Sequence, residues 1–380
     1  MIRDFTDEEA RRALRLKWGL AAADEIPAWV AEMDYRVAEP ITEALTAAVA
    51  DGVTGYPPLD VDGDLARSYA GFAERHYGQH VDPAQVLPVV DVTAGMRFVV
   101  DVLSEQAPVV MPVPAYAPQL DIAAITGRRR VDLVVDPDAE RAELDLDRLD
   151  RLLADGARTL LLTQPHNPWG RVFTRAELEG VRDVVLRHGA RVVSDEIHAP
   201  LVLPGASHVS YLDVEGTGDH AVALVSASKA FNIPGLRCAQ VVTADPATRD
   251  RLLDVPLARN DSWSSLGVVA SVAAYSEGDA WLAALVQRLD EQRALLRRLL
   301  AEHLPAARMR PLEATYLAWL DLRAYGHDQP AQVMRERGRV WLEEGATYHS
   351  GLTGHARLNL ATSPQRLTLI VRRMATGLGA

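Results

Sequence analysis

The chain has 380 residues, with 40 Lys plus Arg against 52 Asp plus Glu, a formal net charge of −12. At roughly 100–200 residues per domain this length suggests two domains, and 48% hydrophobic with 24% charged residues excludes wholesale disorder. The acidic balance argues against bulk nucleic-acid binding, no apolar stretch approaches the ~20 residues of a membrane span, and acids stand where a signal peptide would be apolar. The single cysteine, Cys238, excludes an intrachain disulfide framework and a CxxC metal site, so it reads as a small buried hydrophobe and no metal is expected. A cytoplasmic enzyme is the expected class. One count is sharper than the rest: there are two lysines, Lys17 and Lys229, and 38 arginines. Arg cannot replace Lys where a neutral, nucleophilic amine is needed, because its guanidinium stays protonated. The surroundings of Lys229 then decide what that amine is for.

Between about residues 107 and 245, short β-branched runs alternate with helical patterns. Strands are predicted at 108–111, 130–135, 159–163, 191–194, 221–226 and 238–243, with a helix over 174–188 opened by a Thr174/Glu177 capping box. This alternation predicts an α/β domain with a mainly parallel sheet. After about residue 280 come a long Arg/Leu/Glu helix over 281–303, a strand at 315–322 and a terminal helix around 364–377, a smaller α+β domain. The expected division is 1–45 as an N-terminal segment packing with the small domain, 46–280 as the large domain and 281–380 as the small one.

In open α/β sheets, ligands sit beyond the carboxyl ends of the strands. The residues following the predicted strands form a coherent set: Tyr116, then Asn167 in Gln164-Pro-His-Asn-Pro-Trp-Gly170, then Asp195 and His198, then Ser226-Ala-Ser228-Lys229 with Arg237 eight residues on. An aromatic plate, an amide, a carboxylate, and a lysine with hydroxyls and an arginine are the groups needed to hold pyridoxal 5′-phosphate (PLP). The lysine bonds its aldehyde, the carboxylate pairs with its ring nitrogen, the amide serves the phenolate oxygen and Ser and Arg serve the phosphate.

With Lys17-Trp18, Ala28-Trp-Val-Ala-Glu-Met-Asp34, Gly55-Tyr56, Ser194-Asp-Glu-Ile-His-Ala-Pro-Leu-Val-Leu-Pro-Gly205 and Arg357-Leu-Asn359, the chain resembles fold-type I PLP enzymes of the class I/II aminotransferase superfamily. It is similar, more narrowly, to the MalY/PatB branch of cystathionine β-lyase-like C–S lyases. The resemblance implies that Lys229 carries the cofactor and later shuttles the proton, Asp195 pairs with the ring nitrogen, Asn167 serves the phenolate oxygen and Tyr116 stacks on the ring. It implies that Ser226, Ser228, Arg237 and the backbone of Gly95 and Met96 lie at the phosphate, and that Arg357 binds the substrate carboxylate. His198 is implied either beside the phenolate oxygen or as a support behind the ring. Tyr56 is implied to reach the site of a neighbouring subunit in a homodimer. The chain departs from the commoner pattern at Val92-Thr93-Ala94, where a proline often precedes the glycine.

The function implied is β-elimination from cystathionine or a related cysteine S-conjugate, giving pyruvate, ammonia and a thiol. The alternatives are a class I/II aminotransferase, in which a keto acid completes the cycle, and a non-catalytic PLP-binding regulatory protein. Only about 25 residues precede the Trp29 motif, too few for the DNA-binding module of such regulators. A small amino acid is the expected ligand, with neither nucleic acid nor membrane as partner.

Overall fold

The structure is a computed structural model and describes residues 2–59 and 63–380. A two-residue strand, β1 (Ile26–Pro27), precedes the main sheet, whose seven strands are β2 (Val86–Val89), β3 (Val109–Val113), β4 (Arg130–Val134), β5 (Thr159–Thr163), β6 (Arg191–Asp195), β7 (Ala221–Val225) and β8 (Ala239–Val242). Their order across the sheet is β2-β8-β7-β6-β5-β3-β4, parallel except for β8, which runs antiparallel to both neighbours. The central strands Thr-Leu-Leu-Leu-Thr and Ala-Val-Ala-Leu-Val are fully buried, as expected of parallel strands covered on both faces. One face is covered by the helix Val92–Leu103, and the other by Leu146–Ala154 and Arg175–Arg187. Thr174 and Glu177 form the anticipated capping box.

β2 has no counterpart among the strands predicted from sequence. Its Val-Leu-Pro-Val run carries Pro88, which cannot donate to a ladder, and the structure tolerates it because β2 is an edge strand. Apart from β5, which runs over 159–163 as predicted, the other predicted strands shift at their ends. The one that begins at Ala221 stops at Val225, because the Ser226 side chain opens the following turn.

The C-terminal part carries an antiparallel sheet of β9 (Arg308–Met309), β10 (Leu317–Asp321), β12 (Glu343–Glu344) and β13 (His355–Asn359), ordered β12-β13-β10-β9. A further short strand, β11 (Val340–Trp341), pairs in parallel with β1, so the N-terminal segment is stitched to this part. Trp29 stacks on Trp341 with ring centroids 4.6 Å apart. The long helix Asp279–His303 buries Leu282, Leu285, Leu289, Leu296 and Leu299 along one face, in an apolar cluster shared with the N-terminal segment and the terminal helix Pro364–Leu378. This architecture aims the carboxyl ends of β3, β5, β6 and β7 at one edge. Because β8 runs the other way, Arg237 just before it reaches the same edge.

Candidate active site

A cleft of about 830 Å³ opens at that edge, walled by Lys229, Asp195, Asn167, His198, Tyr116 and Ser228, with Arg237 also on its lining. The Lys229 turn is built by Ser226. Its hydroxyl donates to the Cys238 carbonyl at 2.8 Å, accepts from the Ser228 amide at 3.1 Å and lies 2.7 Å from the Ser228 hydroxyl. The Lys229 amine donates to the Ala31 carbonyl at 3.2 Å. Burial, followed by the nearby Arg357 charge, pulls its pKa down to about 8, so a neutral amine is within reach near physiological pH.

Asp195 ends β6. Its carboxylate accepts from Gln119 Nε2 at 2.6 Å and from the Ile197 amide at 3.1 Å, and burial raises its pKa to about 6. Gln119 in turn accepts from the Thr163 hydroxyl at 3.0 Å, so three elements fix one carboxylate. Asn167, after β5, accepts from Arg357 at 3.2 Å. Arg357 comes from β13 and donates also to the Trp29 carbonyl at 2.6 Å, with its guanidinium 5.1 Å from the Tyr348 ring centre. His198 is buried and its pKa is lowered to about 3, by burial first and then by Lys229 and Arg357, so its imidazole is neutral.

Some residues implied to contact the cofactor lie elsewhere. Ser226 is absent from the cleft lining because its hydroxyl is used inside the turn, where it positions Ser228. Gly95 and Met96 face the sheet. A Cβ on Gly95 would meet Val89 at 2.9 Å and Leu224 at 3.0 Å, its amide is already bonded to the Asp91 carbonyl, and Met96 is wholly buried in the core. The residues of that helix start that do reach the cleft are Asp91, Val92, Thr93 and Ala94. Asp91 caps the helix through the Ala94 amide and also pairs with Arg237, whose backbone is left-handed at φ 52°. Tyr56 is fully exposed on the single chain and outside the cleft lining.

The motif Ala28–Asp34 explains the other lysine. Lys17 forms a buried ion pair with Asp34 at 2.9 Å and donates to the Glu32 carbonyl at 2.9 Å, while Trp18 donates to the same Asp34 at 2.7 Å. Five consecutive carbonyls of this segment are held by side chains: Trp29 by Arg357, Val30 by Asn359, Ala31 by Lys229 and Tyr316, Glu32 by Lys17 and Asn359, and Met33 by Asn232. The segment is thus a strap across the cleft, tied to both the lysine turn and β13. Gln119 and Glu32, which sequence reading passed over, are part of this site. Gln119 lies one helical turn beyond Tyr116, and that spacing was the available signal.

These residues fit PLP on their own chemistry. A desolvated carboxylate held only by neutral donors is suited to a cationic ring nitrogen. Among the described residues the buried His198 Nδ1 and Arg357 Nε have no hydrogen-bond partner, and the amine of Lys229 has a depressed pKa.

Residues 24–374 match the family model for aminotransferase class I and II. The chain is 34% identical to cystathionine beta-lyase of Corynebacterium glutamicum, over 97% of this chain and 98% of that one. It is 32% identical to cystathionine beta-lyase PatB of Bacillus subtilis, over 98% of each. Among solved structures, a Corynebacterium diphtheriae protein assigned as a PLP-dependent beta-cystathionase superposes over 100% of both chains with a TM-score of 0.95 and 31% identity.

Proposed function

The chain belongs to the class I and II aminotransferase family, and we propose that it is a PLP-dependent C–S β-lyase that cleaves cystathionine or a related cysteine S-conjugate to pyruvate, ammonia and a thiol. The observation that carries this reading is full-length similarity to cystathionine β-lyases, joined to a cleft in which one depressed-pKa lysine faces a buried carboxylate and an arginine.

When bound, PLP draws electrons from the substrate Cα and makes its proton removable. Lys229 would hold the cofactor, then take the Cα proton on Nζ and return it where the reaction needs it. Arg357 anchors the substrate carboxylate through charge-assisted hydrogen bonds, and its own ties to Asn167 and Trp29 fix its plane. Asp195 would hold the ring nitrogen protonated, and Gln119 keeps that carboxylate aimed. His198, neutral, contributes a hydrogen bond rather than a charge. Tyr116 would stack on the ring. Ser228 and Arg237 would take the phosphate, with the open amides at the start of helix Val92–Leu103. A homodimer in which Tyr56 completes the partner's site is part of the same proposal. So is a cytoplasmic location, to which the one buried thiol is suited.

The test follows pyruvate from purified enzyme with cystathionine and no keto acid. A thiolate leaves readily once carbanion character develops at Cα, whereas alanine offers no leaving group. Catalytic pyruvate, ammonia and homocysteine are expected. Inert cysteine conjugates, with some amino acid turned over in proportion to added keto acid, would make the protein an aminotransferase instead.

A further inference from the structure

Glu32 stands in the cleft wall with chemistry that the elimination does not use. Its backbone is pinned. The Glu32 carbonyl accepts from Lys17 at 2.9 Å and Asn359 at 2.7 Å, while Asn232 holds the Met33 amide at 2.8 Å and the Met33 carbonyl at 2.9 Å. The side chain therefore starts from a fixed point. Its Oε2 is sealed from solvent and hydrogen-bonded to nothing among the described residues. Burial accordingly raises its pKa. A carboxylate so placed stays ionised beside a cation and otherwise takes up a proton.

The two lysines that lend it charge are both engaged elsewhere. Lys17 is committed to Asp34 at 2.9 Å, and Lys229 donates to Ala31 and must give up its charge to act as a base. A cation arriving with the substrate would complete the arrangement. In a cysteine conjugate the α-carboxylate is taken by Arg357 and the α-amino nitrogen is taken up in exchange with Lys229. The cation left for Glu32 is the ammonium on the departing side of the sulfur, which that side carries together with a carboxylate of its own. Leu16 and Val30 line the same cleft, offering apolar surface to the methylenes between sulfur and that charge.

We propose that Glu32 is a subsite for a substrate ammonium group carried beyond the sulfur, so that it selects cystathionine-like conjugates over uncharged S-alkyl cysteines. The assignment rests on the C–S lyase reading. It is tested on the holoenzyme by measuring kcat/KM for cystathionine and for S-ethylcysteine in the wild type, Glu32→Gln and Glu32→Asp. The ratio of the two values should fall about tenfold or more in Glu32→Gln, mainly through KM for cystathionine, the size expected for one hydrogen-bonded charge pair. Glu32→Asp should keep part of the preference. A ratio that stays within about twofold or rises, whether the two rates fall together or not, overturns the subsite while leaving the lyase standing. A wild type that eliminates from neither substrate overturns the lyase reading, and the subsite with it.

Discussion

Asp195 and Glu196 are adjacent and equally hidden from water, yet their pKa values move in opposite directions. Burial acts on both, but Glu196 meets His208 at 3.3 Å, the Tyr211 amide at 2.9 Å and the Ser194 hydroxyl at 2.8 Å, which hold it low. Among the described residues Asp195 has only Gln119 and one amide as hydrogen-bond partners, so burial wins and its pKa rises from 3.8 to about 6. A raised carboxyl pKa contributes stability that is complete below the unfolded value and is lost as pH climbs through the folded one. In the cofactor-free protein, the stability of wild type relative to Asp195→Asn should therefore drop by about 3 kcal/mol between pH 3.5 and 7. Urea denaturation at the two pH values measures this, and a flat difference would refute it. Lys229→Ala should lower elimination by at least about 10²–10⁴-fold, and borohydride should fix the cofactor to Lys229 and never to Lys17. Lys229, Asp195 and Asn167 were legible because strand ends carry ligands and these side chains have chemistry of their own. Gln119 carries a weaker signal, its spacing from Tyr116 alone, since an amide acting through another residue has no chemistry of its own to mark it. Gly95 packs its helix against the sheet, and a glycine that lets a helix approach a sheet and one that lets a backbone approach a phosphate look identical in sequence.

The strap and the lysine turn behave as one element. Asn232, at φ 58°, makes three hydrogen bonds to the backbone of Met33 and Tyr35. Asn232→Ala leaves those buried groups unpaired and should cost about 2 kcal/mol or more, with a fall in kcat/KM as the strap loosens beside Lys229. Equilibrium unfolding and steady-state rates would show both, and unchanged rates would separate the strap from catalysis. Elsewhere in the chain, Thr174→Ala removes one half of a capping box and should cost only about 1 kcal/mol, with activity intact. Sequence patterning located β5 without error because an unbroken apolar run bounded by Thr has few other uses. It missed β2 because proline normally argues against a strand, and only the sheet order reveals an edge. The strap was invisible as structure: its hydrogen bonds come from residues as distant as Asn359, which no local pattern encodes.

At the scale of the whole molecule, the proposed dimer predicts a solution mass near twice the 41.5 kDa of the chain. If Tyr56 serves the partner's site, mixing Lys229→Ala with Tyr56→Phe subunits should yield one site bearing both lesions and one bearing neither. Activity should then exceed that of either variant alone, and no gain on mixing would refute the shared site. The two lysines have one more consequence. Neither is on the outer surface, since Lys17 is locked in its ion pair and Lys229 lies in the cleft wall, so every basic side chain on the exterior is a guanidinium or an imidazole. Reagents that acylate side-chain amines should find the exterior blank. Such a reagent should label Lys229 when the cofactor is stripped away and lose that label when PLP is restored, making the protein a single-address target for chemistry at side-chain amines.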